Sequence, residues 1–354
     1  MDTSTRPIRV GLLGYGFAGK TFHAPLIDAC DGLSLHAVTS RDAGKVHADY
    51  AGVNVHPTPE ALLRDEAIDL VVVATPNDTH APLARMALEA GRHVVVDKPF
   101  ALDLAEARGL VALAKATGRH LQVFHNRRWD SDFLTIRHAI ESGLLGRVTH
   151  FESRIDRFRP QVRDRWRERA APGAGVWFDL GPHMVDQALA LFGLPDRVTA
   201  SLAIQRDGAQ ADDWAHAILD YGERRVVIHA GMLVAGGSAR FTVHGTGGSA
   251  VKLKADGQEA QLIAGMRPGD PGWGEDEDAL TLYAGGSERA VPATSGDQRG
   301  FYTAVAAALA GEAPPPVRPI EALAVMAVLE AGAASAREGR AMPLPLDPEE
   351  RATW

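Results

Sequence analysis

The sequence predicts a two-part α/β protein: a parallel sheet covered by helices on both faces, then an α/β half built on a large open, mostly antiparallel sheet. Three observations carry this expectation. In the first 125 residues, short runs of Val, Leu and Ile alternate with helix-spaced segments, the pattern of strands buried on both faces by βαβ crossovers. From residue 198 onward, strand-like runs follow one another with glycine turns between them, as in antiparallel hairpins. The length, 354 residues, suits two domains at roughly 150 residues each. We therefore divide the chain into 1–125 and 126–354.

In chain order, residues 8–13, 33–38, 70–73, 93–96 and 121–124 read as strands, with helices at 81–90 and 104–116. After Asn126 the spacing predicts a helix over 130–142, stopped by Gly143 and Gly146, a strand over 148–155 and a helix over 180–191. Strands follow at 198–204, 214–221, 225–233, 240–244 and 250–253. Tyr221-Gly222-Glu223 and the turn at 245–248 close two of them into hairpins. The Gly/Pro/acid-rich stretch 265–278 reads as a surface loop. Helices at 301–309 and 320–336 flank the Pro314-Pro315-Pro316 stop.

Composition excludes several classes of function. Lys and Arg total 37 against 45 Asp and Glu, a net −8, the wrong sign for a general nucleic-acid binder. The single cysteine, Cys30, excludes an internal disulfide framework and cysteine-based zinc or iron–sulfur sites. The 14 His include no His-Glu-x-x-His, so no metal is expected. Met1–Pro7 carries neither a basic leader nor an apolar core, and no apolar run approaches the ~18 residues of a membrane span. The expectation is a soluble, cytoplasmic protein without nucleic-acid or membrane partners.

Gly14-Tyr15-Gly16-Phe17-Ala18-Gly19 follows the first strand directly and fits the Rossmann fingerprint G-x-G-x-x-G. Gly14 permits the tight turn, Gly16 lets backbone approach a pyrophosphate, and Gly19 lets helix and strand pack closely. The helix N-terminus that follows favours anions. An ordinary strand–helix turn is the alternative. The second strand ends in Thr39-Ser40-Arg41, and a hydroxyl with a guanidinium suits a 2′-phosphate, which points to NADP. Asp42 follows at once; were the strand to end later, it would be the acid that accepts ribose hydroxyls in NAD.

Thr75-Pro76-Asn77 and Asp97-Lys98-Pro99 close the next two strands, at the carboxyl ends where open α/β sheets bind ligands. Read alone, Lys98 is equally a surface lysine. In the second half, Asp179 and His183 are four residues apart and share a face if the helix already includes them. His is the natural proton carrier near neutral pH, and Asp186 stands three residues further on, as a holder for its ring. The plainer alternative is an Asp N-cap with His183 in the capping turn. Asn126, Arg127, Trp129 and Asp130 follow the last Rossmann strand, where they would border a substrate cleft and hydrogen-bond a polyol. Seven Arg between 154 and 169 interleave with Glu152, Asp156, Asp164 and Glu168, a local +3 over 152–169 (seven minus four), read as a salt-bridged loop at the substrate or at a subunit contact.

These pieces together resemble the Gfo/Idh/MocA oxidoreductases. The likeness rests on the glycine loop, Thr75-Pro76-Asn77 with His80, Asp97-Lys98-Pro99, and Gly173-x-Gly175…Asp179-x-x-x-His183, and it covers nearly the whole chain. The family's usual Glu-Lys-Pro has Asp97 in place of Glu here. A narrower likeness, to the NADP-dependent scyllo-inositol 2-dehydrogenases, rests on residues 16–26, 125–135, Arg157-Phe158-Arg159-Pro160, Trp166-Arg167-Glu168 and Gly272-Trp273-Gly274.

The resemblance implies Lys98, Asp179 and His183 as the catalytic set. His183 would be the proton acceptor, with Lys98 polarising the reacting hydroxyl. It implies a cofactor site of Gly14, Gly16, Phe17, Ala18, Gly19, Ser40, Arg41, Thr75, Pro76, Asn77, His80 and Lys98. The substrate site would comprise Lys98, Asn126, Arg127, Trp129, Arg159, Asp179 and His183. The expected reaction is NADP-dependent hydride transfer (with NAD as the alternative) on a ring carbon of a cyclitol. Its rivals are a sugar or ketose reductase of the same family and a non-catalytic dinucleotide sensor. An open sheet face needing cover suggests a homodimer or homotetramer.

Overall fold

The computed structural model describes residues 6–164 and 166–354, with Trp166 by its backbone alone. The expectations about Met1–Thr5, Arg165 and the Trp166 side chain therefore lie outside the described residues. Two compact units organise the chain. One comprises the residues up to Asn126 together with Gln258–Trp273 and Asp297–Ala322; the other comprises Arg127–Gly257, Gly274–Gly296 and Leu323–Trp354. The chain thus returns twice to the first unit after leaving it, which a single cut in a sequence cannot express.

The first unit holds six strands: β1 (Ile8–Leu13), β2 (Leu33–Thr39), β3 (Asn54–His56), β4 (Leu70–Val73), β5 (His93–Val96) and β6 (Leu121–Val123). They pair in parallel in the order β3-β2-β1-β4-β5-β6, the doubly wound Rossmann arrangement. All four residues of β4 are buried, which is why β4 reads as an uninterrupted apolar run. The helix Leu104–Thr117 starts where Asp103 accepts the Glu106 N–H at 2.8 Å and ends at the left-handed Gly118, a cap at each end. The returning helix Arg299–Leu309 buries Phe301 and Tyr302. Their rings lie 5.0 and 5.6 Å from that of Phe124, just beyond β6.

The second unit holds β7 (Val148–Asp156), β8 (Arg197–Ala203), β9 (Trp214–Tyr221), β10 (Arg224–Gly231), β11 (Phe241–Gly245), β12 (Gly248–Lys252), β13 (Leu280–Ala284), β14 (Ser287–Val291) and β15 (Met342–Pro343). Their order is β14-β13-β12-β11-β7-β10-β9-β8-β15. Among the described residues of this sheet, β7 and β10 are the neighbours that run parallel. Both expected hairpins form, β9 with β10 and β11 with β12.

The helix Gly175–Phe192 packs on β7, β9 and β10, and Trp177 anchors it. That fully buried indole donates Nε1–H to the Leu329 carbonyl at 2.9 Å. A Cβ on Gly332 would stand 2.4 Å from the Trp177 ring, so the helices touch through a glycine. The second of these helices, Pro319–Glu338, corrects an expectation: it is long and apolar enough to cross a bilayer, and 67% of its apolar window is buried inside the protein. A helix apolar nearly all round is what a core position also demands.

Candidate active site

In the first unit the glycine loop joins β1 to a helical turn, and the space at each glycine differs. Gly14 has φ +98°, and a Cβ there would sit 2.8 Å from the Ala74 carbonyl oxygen. A Cβ on Gly19 would stand 2.0 Å from the Gly14 carbonyl oxygen, so helix and strand close on each other there. Gly16 has nothing within 4 Å of its Cβ direction; its backbone faces open space, as a pyrophosphate cradle requires. Phe17 is exposed and Ala18 leads into the π-helical Gly19–His23.

β2 ends at Thr39, and Ser40 Oγ accepts the Asp42 N–H at 3.1 Å. The Asp42 carboxylate is spent as an N-cap, accepting the Lys45 N–H at 3.0 Å to start Ala43–His47. Ser40 and the exposed Arg41 stand beside it at the strand end. The sequence reading missed Lys45. Its Nζ donates to the Tyr15 carbonyl, within the glycine loop, at 3.0 Å, so a second cation joins the end of β2 to that loop. Its signal was its place in the first helical turn after the strand end that carries Arg41.

The turns after β4 and β5 are tied together by His80. The residue is 1% exposed, with Nδ1 2.8 Å from the Pro99 carbonyl and Nε2 3.0 Å from the Thr75 carbonyl. Burial pushes its imidazole below the ordinary value, against the pull of Asp97 and the two carbonyls. A neutral imidazole carries one N–H, so His80, lying beneath the turns, donates to one of these carbonyls and packs against the other. Asn77 is buried at the head of a short 3₁₀ turn, and Lys98 is half-buried. Asp97 Oδ1 accepts the Lys98 N–H at 2.7 Å.

In the second unit the helix bearing Asp179 and His183 begins earlier than its apolar spacing suggests, at Gly175, and continues through Pro182. Asp179 is therefore no N-cap; it and His183 lie one turn apart on one face. The helix's own N-cap residue, Ala174, has no side chain to cap with. Asp212 performs that task from a distant loop. Its Oδ2 accepts the Trp177 N–H and its carbonyl the Val176 N–H, both at 2.8 Å. A Cβ at residue 175 would lie 2.0 Å from Asp212 Oδ1, so only glycine admits this cap. Burial pushes the Asp212 carboxyl up to about 6, helped by Asp213 and opposed by the helix N–H groups.

Asp186 has both oxygens on Arg128, 2.9 Å from Nε and 2.7 Å from Nη2, a bidentate partner the sequence reading did not assign. Arg127 Nη1 bonds the buried Asp130 at 3.0 Å, and the Arg127 carbonyl accepts Gln187 Nε2 at 2.9 Å. Gln187 Oε1 in turn receives Arg240, itself bonded to Asp132, so this turn is braced against the helix Gly175–Phe192. Trp129 closes the 3₁₀ turn that Asn126 opens.

A concavity lies in the same unit, lined by Asp179, Asp212, Arg157, Arg159, Arg167 and Met232 among others. Arg157 and Arg159 share a side of an extended segment bonded to Gly231 and Met232, and Arg167 Nε lies 3.3 Å from Asp179 Oδ1. Buried Arg206, held by Asp213 at 2.9 Å, braces the Arg159 carbonyl. Among the described residues no cluster of three or more His, Cys, Asp or Glu could hold a metal ion.

Comparison with known proteins agrees with this division of labour. Residues 8–125 match the family model described as an oxidoreductase family's NAD-binding Rossmann fold, and 137–346 match that of an oxidoreductase family's C-terminal alpha/beta domain. The uncharacterized oxidoreductase YdgJ of Escherichia coli (strain K12) is 52% identical over 93% of this chain and 96% of its own length. The scyllo-inositol 2-dehydrogenase (NADP(+)) IolW of Bacillus subtilis (strain 168) is 36% identical over 95% of this chain and 96% of its own. A crystal structure from Klebsiella pneumoniae, 54% identical, superposes with a TM-score of 0.93 over 98% of both chains.

Proposed function

The chain belongs to the Gfo/Idh/MocA oxidoreductase family, and from that premise we propose that it is an NADP-dependent dehydrogenase of a cyclitol, acting as a scyllo-inositol 2-dehydrogenase does. The observation that carries this reading is the pairing of Asp179 and His183 one turn apart on one helix, in a chain that also ends β5 with Lys98. A binding-only protein has no need of that set. Domains of 1–125 and 126–354 and a cytoplasmic location belong to the same reading.

The residues of the first unit fit a dinucleotide. Open space at Gly16, with close approach at Gly14 and Gly19, suits a pyrophosphate at a helix N-terminus. Ser40, Arg41 and Lys45 offer a hydroxyl and two cations to a 2′-phosphate. When bound, NADP⁺ supplies the hydride acceptor, C4 of its nicotinamide. His183 takes the proton of the reacting hydroxyl, so that the carbinol, losing proton and hydride, becomes a ketone. The Lys98 ammonium stabilises the negative charge that grows on the oxygen meanwhile. Asp179, held by Arg167, orients the polyol and His183, with Asn126, Arg127, Trp129 and Arg159 as further hydrogen-bonding groups. A homodimer or homotetramer covers the open sheet face in this reading.

The test is NADPH absorbance over a panel of cyclitols, aldoses and ketoses run in both directions. Turnover should be best with scyllo-inositol, and His183→Ala and Lys98→Ala should each lower kcat about 10²–10⁴-fold. Best turnover in reduction of a sugar replaces the cyclitol with the sugar reading. NADPH binding without turnover across the panel makes the protein a sensor, and unchanged kcat in both variants removes the assigned roles.

A further inference from the structure

We propose that Tyr302, His23 and Asp97 form a buried polar chain that fixes the turn carrying Lys98, with His23 as the positioning residue at its centre. This rests on the reading that Lys98 touches the reacting hydroxyl. The dinucleotide fingerprint ends at Gly19, and His23 lies beyond it with no part in cradling phosphates. It is nevertheless entirely buried, an unusual place for an imidazole without a task.

The local fold explains how it arrives there. Gly19–His23 is π-helical, and the extra residue in such a turn re-aims the side chains that follow, a device frequent at functional sites. His23 then lies against Phe124, ring centroids 4.2 Å apart, with Nδ1 2.6 Å from Tyr302 Oη. Burial pushes the Tyr302 phenol well above its ordinary value, so the phenol keeps its proton and donates it to Nδ1. With Nδ1 accepting from the phenol, the ring N–H falls on Nε2.

That Nε2 is buried, has no hydrogen-bond partner, and faces Asp97 Oδ2 at 3.7 Å. The separation is longer than a hydrogen bond. Burial would raise the Asp97 carboxyl, but His23, Lys98 and His80 together hold it well below the usual carboxylate range. The ionised Asp97 passes the constraint on by accepting the Lys98 N–H at 2.7 Å. From the other side His80 Nδ1 stands 2.8 Å from the Pro99 carbonyl. The backbone around Lys98 is therefore gripped by two imidazoles, and the His23 arm starts from Tyr302, 279 residues away in sequence.

The geometry also gives Asp97 its meaning. Its carboxylate falls short of Nε2 by about 0.8 Å of a normal hydrogen bond, less than the roughly 1.5 Å that one more methylene would add. Glutamate at this position would close the chain, whereas aspartate leaves it one link loose.

Three single variants of the full-length protein test the chain: Tyr302→Phe, which removes only the hydroxyl, His23→Phe, which keeps an aromatic ring on Phe124, and Asp97→Glu. NADPH affinity is read by fluorescence titration, kcat and KM by absorbance, and the ring nitrogens of ¹⁵N-histidine-labelled protein by NMR. Tyr302→Phe should shift one buried Nδ1 resonance, and it should lower kcat about tenfold with NADPH affinity within twofold. His23→Phe should cost more, up to the hundredfold that about 1 Å of misplacement entails, while Asp97→Glu should keep or raise kcat. An Nδ1 spectrum unmoved by Tyr302→Phe overturns the chain, as does unchanged kcat in folded Tyr302→Phe. If Lys98→Ala is silent while Tyr302→Phe moves the spectrum, the chain stands and the role given to Lys98 is what fails. Should His23→Phe not fold, Tyr302→Phe carries the test.

Discussion

Replacing Asp212 by asparagine isolates the electrostatic part of an unusual helix cap. The amide oxygen can accept the same Trp177 N–H, and the side chain keeps its size, so what disappears is the charge. In the folded protein burial holds this carboxyl at about 6 against an ordinary 3.8, and each tenfold change in proton affinity is worth about 1.4 kcal/mol. Ionised Asp212 thus costs the native state about 3 kcal/mol, as an upper figure for a half-buried group. The sign follows from linkage: a carboxyl whose folded value is raised contributes stability that is complete below its unfolded value and lost as pH rises through its folded one. Wild type and Asp212→Asn should therefore be about equal below pH 4. Between pH 4 and 6 the variant should become the more stable, levelling off above pH 7 at up to about 3 kcal/mol. Urea unfolding of both proteins at pH 4, 5, 6 and 8 measures the gap. A gap that does not change with pH, or a variant less stable at pH 8, would refute the reasoning. The first result would mean that the charge–helix attraction offsets the desolvation of the carboxylate, the second that it exceeds it.

Two further outcomes follow from other side chains. Arg41→Ala should raise KM for NADP⁺ about tenfold to a hundredfold, the worth of a charge-assisted bond to phosphate, while leaving KM for NAD⁺ nearly unchanged; equal changes for both cofactors remove Arg41 from the 2′-phosphate. Arg128→Met removes the bidentate partner of the buried Asp186 and should cost about 3 kcal/mol in urea unfolding near neutral pH, with most of it regained in Arg128→Met/Asp186→Leu. A single variant that loses under 1 kcal/mol would show that the pair is dispensable.

Five strands of the parallel sheet were legible nearly to the residue, while the three-residue edge strand β3, Asn54–His56, was not read. β1, β4 and β5 coincide with the apolar runs read from sequence because strands covered on both faces need no alternation. β9 was equally plain, between turn residues. β14, by contrast, is Ser-Glu-Arg-Ala-Val, polar and largely exposed at the edge of its sheet, and carries no apolar signal. The helix Gly175–Phe192 was expected to start near residue 180 because its cap is tertiary. Ala174 gives no local stop, Pro182 argues against a helix interior, and the acceptor waits at Asp212. The motifs around Lys98, Asp179 and His183 could be picked out because they are local. His23, Asp212 and Arg128 were not, since what each does depends on a partner 279, 35 or 58 residues away.

The threefold passage of the chain through the first unit sets an order of events during synthesis. Domains emerging from the ribosome tend to fold as units, the N-terminal one first. Here β1 to β6 are complete by Val123, yet Phe301 and Tyr302, which meet Phe124 and His23, come some 180 residues later. Until then the nascent sheet displays an uncovered aromatic edge and a buried-type histidine without its phenol. The second unit's strands up to β14 must all be made before that edge is sealed. The dinucleotide half of the protein is the first to begin and one of the last to be finished.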